Sequence, residues 1–546
     1  LTKRFWNAIL LHIKASKRWR GKVKSINVEV KMAIKVILLI VFFAVMFGVG
    51  IYCRQHATDV RGFVLGGRSV GPWMTAFAYG TSYFSAVVFI GYAGQFGWKF
   101  GMSSTWIGIG NTIIGSLLAW VILGRRTRIM TKHLHAGTMP QFFNDRFDSK
   151  ALKIASSAII FIFLVPYTSS IYNGLSRLFG MAFDIPYVVC VVAMAAITGL
   201  YVIMGGYMAT AINDFVQGII MLVGIIAVIS AVLAGQGGFI QAVTNMSQIE
   251  GTNVLGLAQP GVFTSFFGPD PMGLLSVVIL TSLGTWGLPQ MVHKFYAIKS
   301  EDDIAKGTII STIFSIIIAG GSYFLGGFGR LFDSPAIYKA DGSVAFDSIV
   351  PQMLSTVPDI LMGLIVVLVL SASMSTLSSL VLTSSSTLTL DFVKGNLVKD
   401  MKEKTSLNLM KIMVVVFILL SVLLAINPPT FIAQLMGISW GALAGAFLAP
   451  FLYGLYWKGV TKAGVWACFV TGVGLTVCNM FFHWFSSPIT SGAAAMLIGF
   501  VVVPVVSFIS PKLDKAKVDE IFTCYDKQAV VTVKKVLVDD EEEQKA

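Results

Sequence analysis

Residues 360–379 read Ile-Leu-Met-Gly-Leu-Ile-Val-Val-Leu-Val-Leu-Ser-Ala-Ser-Met-Ser-Thr-Leu-Ser-Ser. An apolar run of near membrane-spanning length thus ends in a patch of hydroxyls between Ala372 and Ser379. Hydrocarbon offers such groups no water, so they face a partner helix, a cavity or an ion path. Ser375, Thr376, Ser378 and Ser379 supply oxygen, the ligand type that suits a hard cation. They cover about one helical turn, so two ligand sets can face slightly different directions. The same residue types also hydrogen-bond membrane helices to one another, and this segment alone leaves both readings open.

Outward from this patch the chain keeps the same character. Of its 546 residues, 55% are hydrophobic and only 12% are charged, which excludes an ordinary soluble domain. Apolar runs of spanning length recur from end to end and imply an all-α polytopic protein of the lipid bilayer. About thirteen spans are expected, at 33–52, 70–96, 104–124, 152–180, 186–204, 212–234, 273–297, 307–328, 359–388, 409–427, 430–457, 461–484 and 488–510. The 53 glycines suit closely approaching helices. Cys53, Cys190, Cys468, Cys478 and Cys524 show neither paired nor metal-type spacing. A net charge of +14 invites a nucleic-acid partner, but the basic residues sit in short connections, where they orient a membrane protein instead.

One set of connections carries Arg54, Arg61 and Arg68, then Arg125, Arg126, Arg128, Lys132, Arg146 and Lys150. It continues with Lys294, Lys299 and Lys306, then Lys394, Lys399, Lys402 and Lys404, and finally Lys458 and Lys462. The alternate set is poor in Lys and Arg, and its longest member, 236–272, has neither. The positive-inside rule makes the first set cytoplasmic, with the N-terminus outside a cell membrane and the C-terminus inside. Residues 1–31 conflict with this, since they hold nine Lys or Arg and only Glu29 as an acid. The chain begins with Leu1, and a biological start at Met32 removes the conflict. Residues 1–31 are therefore expected to be a non-native basic extension, the alternative being a surface helix or targeting segment. Residues 511–546, with Asp539-Asp540-Glu541-Glu542-Glu543, read as a solvated cytoplasmic tail.

No G-x-x-x-x-G-K-[ST] phosphate loop is present, so nucleotide-driven pumping would need a separate subunit. Gly108 and Gly110 lack dinucleotide-binding spacing, and His133, His135 and His293 have no metal-ligand partner set. Neither enzymatic activity nor an organic cofactor is expected. Asp214 follows Ala209-Thr210-Ala211-Ile212-Asn213 and opens an apolar helix, as either a dipole partner or an ion or proton site. The mid-span stretch Gly80-Thr81-Ser82-Tyr83-Phe84-Ser85-Ala86 permits a broken helix whose freed carbonyls bind a cation. Close packing through small residues accounts for it equally. Gly284-Thr285-Trp286-Gly287-Leu288-Pro289 interrupts a second span, where Pro289 removes a backbone donor. Two interrupted segments five spans apart are the mark of a transporter built from repeats.

Taken together, these segments resemble the sodium:solute symporter family from about residue 33 to 510. The anchors are Leu65-Gly66-Gly67-Arg68-Ser69 with Gly71-Pro72, Gly205-Gly206 followed by Asp214 and Gln217, Gly287-Leu288-Pro289, and Met374-Ser375-Thr376-Leu377-Ser378. The resemblance implies a LeuT-type fold of two inverted five-helix repeats, about 70–234 and 273–457, within a symporter domain at 32–510. It implies Na+ as the coupling ion, bound by the carbonyls of Thr81, Phe84 and Ala372 with the hydroxyls of Ser375 and Thr376. A second sodium site, present in some members, falls on Asp214, Ser375, Ser378 and Ser379. A small organic solute would be imported by alternating access, with Gly80 and Pro289 as flex points.

The matched solute positions are Tyr83, Val87, Tyr167, Thr281 and Thr285, with Trp286 beside the last. Tyr83, Val87, Thr281 and Thr285 depart from the family's proline-transporting members, whereas Tyr167 and Pro289 keep their pattern. The run from Tyr83 to Gly91 looks closer to the pantothenate branch. The expected solute is small and carboxylate-bearing, pantothenate-like or a monocarboxylate, with an amino acid such as proline as the alternative. Two further classes stay open: a proton-coupled carrier using Asp214, and a non-transporting sensor or channel.

Overall fold

The computed structural model describes residues 33, 35–54, 58–183, 185–398 and 401–526. The expectations for residues 1–31 and for the acidic end of the tail lie outside these. The described residues form helices and no strand beyond three isolated bridges. In hydrocarbon an apolar chain has to satisfy its backbone internally, and a helix does so within one segment.

The long helices are α1 (Lys35–Cys53), α2 (Pro72–Tyr83), α3 (Val87–His133), α4 (Lys150–Phe183) and α5 (Tyr187–Gly235). They continue with α6 (Pro271–Gly287), α7 (Pro289–Ala297), α8 (Asp302–Gly326) and α9 (Asp359–Thr387). The last four are α10 (Glu403–Ile426), α11 (Ile432–Tyr456), α12 (Lys462–Phe482) and α13 (Pro488–Ile509). Among the described residues, ten helices are long and apolar enough to cross a bilayer, or eleven if the bent pair α6–α7 is one span.

Two of these helices each run through two of the thirteen expected spans. The helices α3 and α5 have 47 and 49 residues. Each has about twice the residues that one crossing of a bilayer core requires. Each also passes through a glycine at positive φ, Gly101 (61°) and Gly206 (55°), where the sequence suggested a short loop. At Gly206 a Cβ would stand 2.9 Å from the Phe63 carbonyl oxygen, so the kink depends on glycine.

Two helices form the centre of the bundle. Of the central windows of α9 and α11, 94% of residues are buried, against 22% for α1. Helix α9 packs on α2, α4, α5 and α10, and α11 packs on α4, α6, α12 and α13. Two breaks aim backbone at this centre. After α2, Phe84 leaves the helical region (φ −108°, ψ 87°), and its N–H donates back to Gly80. Between α6 and α7 the axis bends by 45° at Leu288. Pro289 starts α7 there and has no N–H for the carbonyl one turn earlier.

The tail departs from expectation where it is described. Residues 515–526 form a helix whose Val518, Ile521 and Phe522 are buried, not a solvated segment. The Arg146 guanidinium lies 4.9 Å from the Phe522 ring centre, and the Tyr525 hydroxyl donates to Leu455 O at 3.0 Å. Spacing of three and four residues between these apolar positions is the amphipathic signal the charge-rich end concealed.

Candidate sodium and solute site

The hydroxyl patch of α9 lies directly against the break after α2. Ser375 Oγ and Thr376 Oγ1 each donate to the Thr81 carbonyl at 3.1 Å. The same two hydroxyls reach Ala372 O at 3.2 and 3.1 Å. Thr376 Oγ1 also lies 3.4 Å from Ser82 O. Thr81, Ala372, Ser375 and Thr376 therefore meet, and the Ser82 carbonyl, which sequence reasoning did not select, joins them. All five residues are buried, and Thr81 Oγ1 has no hydrogen-bond partner. Phe84 is placed by stacking on Tyr83 at 4.2 Å, and no contact ties its carbonyl to this cluster. An all-oxygen set of neutral carbonyls and hydroxyls fits a hard monovalent cation. The Thr81 and Ser82 carbonyls are available because a helix end leaves its last carbonyls unpaired, whereas Ala372 lies within α9.

A second cluster borders the first through Ser379, whose Oγ lies 2.9 Å from Ser82 Oγ. Here the structure corrects the sequence reading. Lys294, assigned to a cytoplasmic connection, is buried at 1% exposure in α7. Its ammonium donates to Ser379 Oγ at 2.9 Å and lies 3.5 Å from Asp214 Oδ2. Asp214 itself sits two turns beyond the Gly206 break, too far in to act as a helix-dipole partner. Ser378 Oγ donates to Ser375 O on its own helix at 2.8 Å. Of the four residues matched to a second sodium site, Asp214 and Ser379 thus converge on an ammonium.

The solute positions divide into two groups. The Tyr83 hydroxyl donates to Thr281 O at 2.6 Å, and Thr281 Oγ1 donates to Asn111 Oδ1 at 2.8 Å. Tyr83 and Tyr167 flank the Trp440 ring of α11, with centres 6.2 and 6.0 Å away. Thr285 and Trp286 turn instead toward α3, donating to Gly115 O at 3.1 Å and Ile114 O at 2.9 Å. Val87 is buried at the restart of the helix, its N–H donating to Ser85 Oγ at 3.2 Å.

Near Trp440 the buried Tyr167 hydroxyl faces the Trp440 indole and Ser85, and the buried Tyr323 hydroxyl faces Asn111, without a well-formed hydrogen bond in either pair. Buried polar groups held this loosely are available to a polar guest. Asn111, Tyr323 and Trp440 escaped the sequence reading. A lone amide such as Asn111 within an apolar span was the available signal. Gly80 lies within α2 against the Phe314 ring of α8, not at the break, whereas Pro289 does mark the bend.

Polar ties close the bundle at both ends. Arg68 donates to Tyr296 O at 2.8 Å and Ala136 O at 2.6 Å, and burial lowers its pKa to about 10. At the other end, on the short helix Phe346–Leu354, Asp347 lies 3.9 Å from Arg177 and accepts from the Ile432 N–H at 3.4 Å. Burial raises this carboxyl above its ordinary value, against the opposing pull of Arg177.

The model of the sodium:solute symporter family matches residues 63–472. A sodium/proline symporter of Staphylococcus aureus (strain JH9) is 29% identical over 491 residues, covering 88% of this chain and 92% of the relative. Among solved structures, a Na+-coupled sialic acid symporter in a substrate-bound, outward-open state superposes with a TM-score of 0.70. It is 16% identical and covers 88% of this chain and 99% of its own. A nucleobase-cation-symport-1 family transporter in a closed conformation gives a TM-score of 0.51 at 16% identity, covering 83% and 96%. The all-helical fold is accordingly of the LeuT type.

Proposed function

Because this chain belongs to the sodium:solute symporter family, and is a multi-pass transporter, not an enzyme, we propose that it imports a small organic solute with sodium by alternating access. The observation that carries this reading is the oxygen cluster of Thr81, Ala372, Ser375 and Thr376. It joins the break after α2 to the buried α9. A sodium ion there would link the two helices and favour one arrangement of the bundle over the other. The solute would bind alongside, among Tyr83, Tyr167, Thr281 and Trp440, where neutral hydroxyl and indole donors gather. The bend at Pro289 and the break at Phe84 supply the places where half-helices can rock. The N-terminus would lie outside and the C-terminus in the cytoplasm.

The energetics suffice. Each sodium entering down ~100 mV releases about 2.3 kcal/mol. A tenfold concentration gradient adds about 1.4 kcal/mol. Together, roughly 3.7 kcal/mol sustains several-hundred-fold accumulation of a neutral solute per coupled ion.

The solute we favour is small and carboxylate-bearing, pantothenate-like or a monocarboxylate. Hydroxyl, indole and amide donors around Trp440 suit carboxylate and carbonyl oxygens. Proline is the second reading, favoured by the 29% identity to the staphylococcal sodium/proline symporter. The test is uptake into proteoliposomes of labelled pantothenate, proline, pyruvate, acetate and sialic acid, with an inward sodium gradient or with choline. Sodium-dependent accumulation of one compound is expected. Accumulation driven only by a proton gradient would overturn the sodium reading.

A further inference from the structure

Asp214 and Ser379, two of the residues matched to a second sodium site, already hold a cation belonging to the protein itself. Lys294 Nζ stands 2.9 Å from Ser379 Oγ and 3.5 Å from Asp214 Oδ2, and both charged side chains are at most 2% exposed. The Tyr207 ring lies 5.4 Å from the ammonium, adding a π-face to its surroundings. Ser379 Oγ reaches Ser82 Oγ at 2.9 Å, so the chain of contacts runs from Lys294 to the broken end of α2.

An ammonium is a compact point charge with three donors. It takes the same ligands as a monovalent metal ion, a carboxylate and hydroxyl oxygens, and it carries the same charge. Two cations sharing one carboxylate in so dry a setting would repel each other strongly. The Thr81–Thr376 cluster is different, because neutral oxygens line it and, among the described residues, no protein cation contacts them.

We propose that Lys294 is a built-in cation that takes the place of a second sodium ion, so that one sodium binds per chain and Asp214 neutralises the lysine. The proposal rests on the sodium-coupled reading above. The ammonium rides on α7, beyond the bend at Leu288, and bridges it to α5 and α9. Its positive charge therefore moves with the protein and is not delivered across the membrane.

The test is equilibrium binding of radiolabelled sodium to the purified full-length protein, which needs no knowledge of the solute. One ion per chain is expected for the wild type. Lys294→Met frees the carboxylate and hydroxyls, and two ions per chain are expected. Adding Asp214→Asn to that variant returns the count to one. Two ions in the wild type, or one in a folded Lys294→Met, would overturn the proposal. If Lys294→Met fails to fold, the wild-type count decides alone. No binding in the wild type removes the sodium-coupled reading and this inference with it, whereas two ions remove only the inference.

Discussion

The hydroxyl of Thr376 donates to the carbonyl oxygen of Thr81 across 3.1 Å, although 295 positions separate the two residues. This contact fastens the broken end of α2 to the most buried stretch of α9. A cation that recruits both oxygens would favour the joined state by whatever it gains from them.

Replacing Thr376 by Ala removes a hydroxyl from the cluster and leaves the Thr81 carbonyl with Ser375 alone. The loss of a buried polar partner is worth about 1–3 kcal/mol. The expected result is a fall in apparent sodium affinity of roughly five- to a hundred-fold, read from the sodium dependence of uptake. Ser378→Ala should do much less, because its hydroxyl serves the Ser375 carbonyl of its own helix. Equal effects of the two substitutions would place the ion elsewhere.

Asp214→Asn leaves the Lys294 ammonium buried beside a neutral amide. Breaking a buried ion pair from one side costs about 3–5 kcal/mol. The single variant should therefore melt several degrees below wild type in detergent. Adding Lys294→Met should recover most of the loss, since the pair is then removed from both sides. A double variant no more stable than Asp214→Asn would show the two groups to be uncoupled.

Gly115→Ala tests the solute side. A Cβ at Gly115 would overlap the Tyr83 hydroxyl, forcing that ring away from its bond to Thr281 O. Overpacking of this kind costs about 1–3 kcal/mol. The solute KM is expected to rise several-fold or more while the number of sodium ions bound stays unchanged. An unchanged KM would separate Tyr83 from the solute.

Asp347 gives a pH dependence of defined sign. Its folded-state pKa is raised by burial, more than Arg177 and the Ile432 amide lower it. The folded protein then holds this proton more tightly than the unfolded chain does. Its contribution favours folding below the unfolded value near 4 and is lost as pH rises through the raised folded value. Asp347→Asn abolishes that titration. The stability of wild type relative to Asp347→Asn should therefore decline with rising pH in thermal melts. A difference that grows with pH would mean that attraction to Arg177 outweighs burial.

Much of the fold was legible from local chemistry. Apolar length announces a spanning helix wherever it occurs, and Pro289 announces a bend because a missing N–H is a property of one residue. The helix count was less legible. Gly101 and Gly206 break the helix within one residue each, inside the short loops expected at 97–103 and 205–211, so helix runs on through both. The helix at 515–526 was hidden for a related reason, because its apolar stripe is narrow and lies beside a run of charge.

The site was legible in its residue types and less so in its pairings. Ser375 and Thr376 stand out as hydroxyls in hydrocarbon, and Thr81 as part of an interrupted span. Lys294 looked like one more orienting lysine, and its burial became visible only when α7 packed beneath α9. Asn111 and Trp440 were single residues in apolar helices, with nothing in the neighbouring sequence to show that they face Thr281 and Tyr83.

By itself, the sequence determined that this chain crosses the bilayer many times, where its backbone is interrupted, and which segment brings oxygen into the membrane. Those are properties of composition and of backbone donors, and they act within a few residues. Only the tertiary structure decided which charge Asp214 faces and which carbonyl Thr376 meets. Contacts such as Lys294 with Ser379, 85 positions apart, depend on how bent helices pack, and packing is a property of the whole bundle.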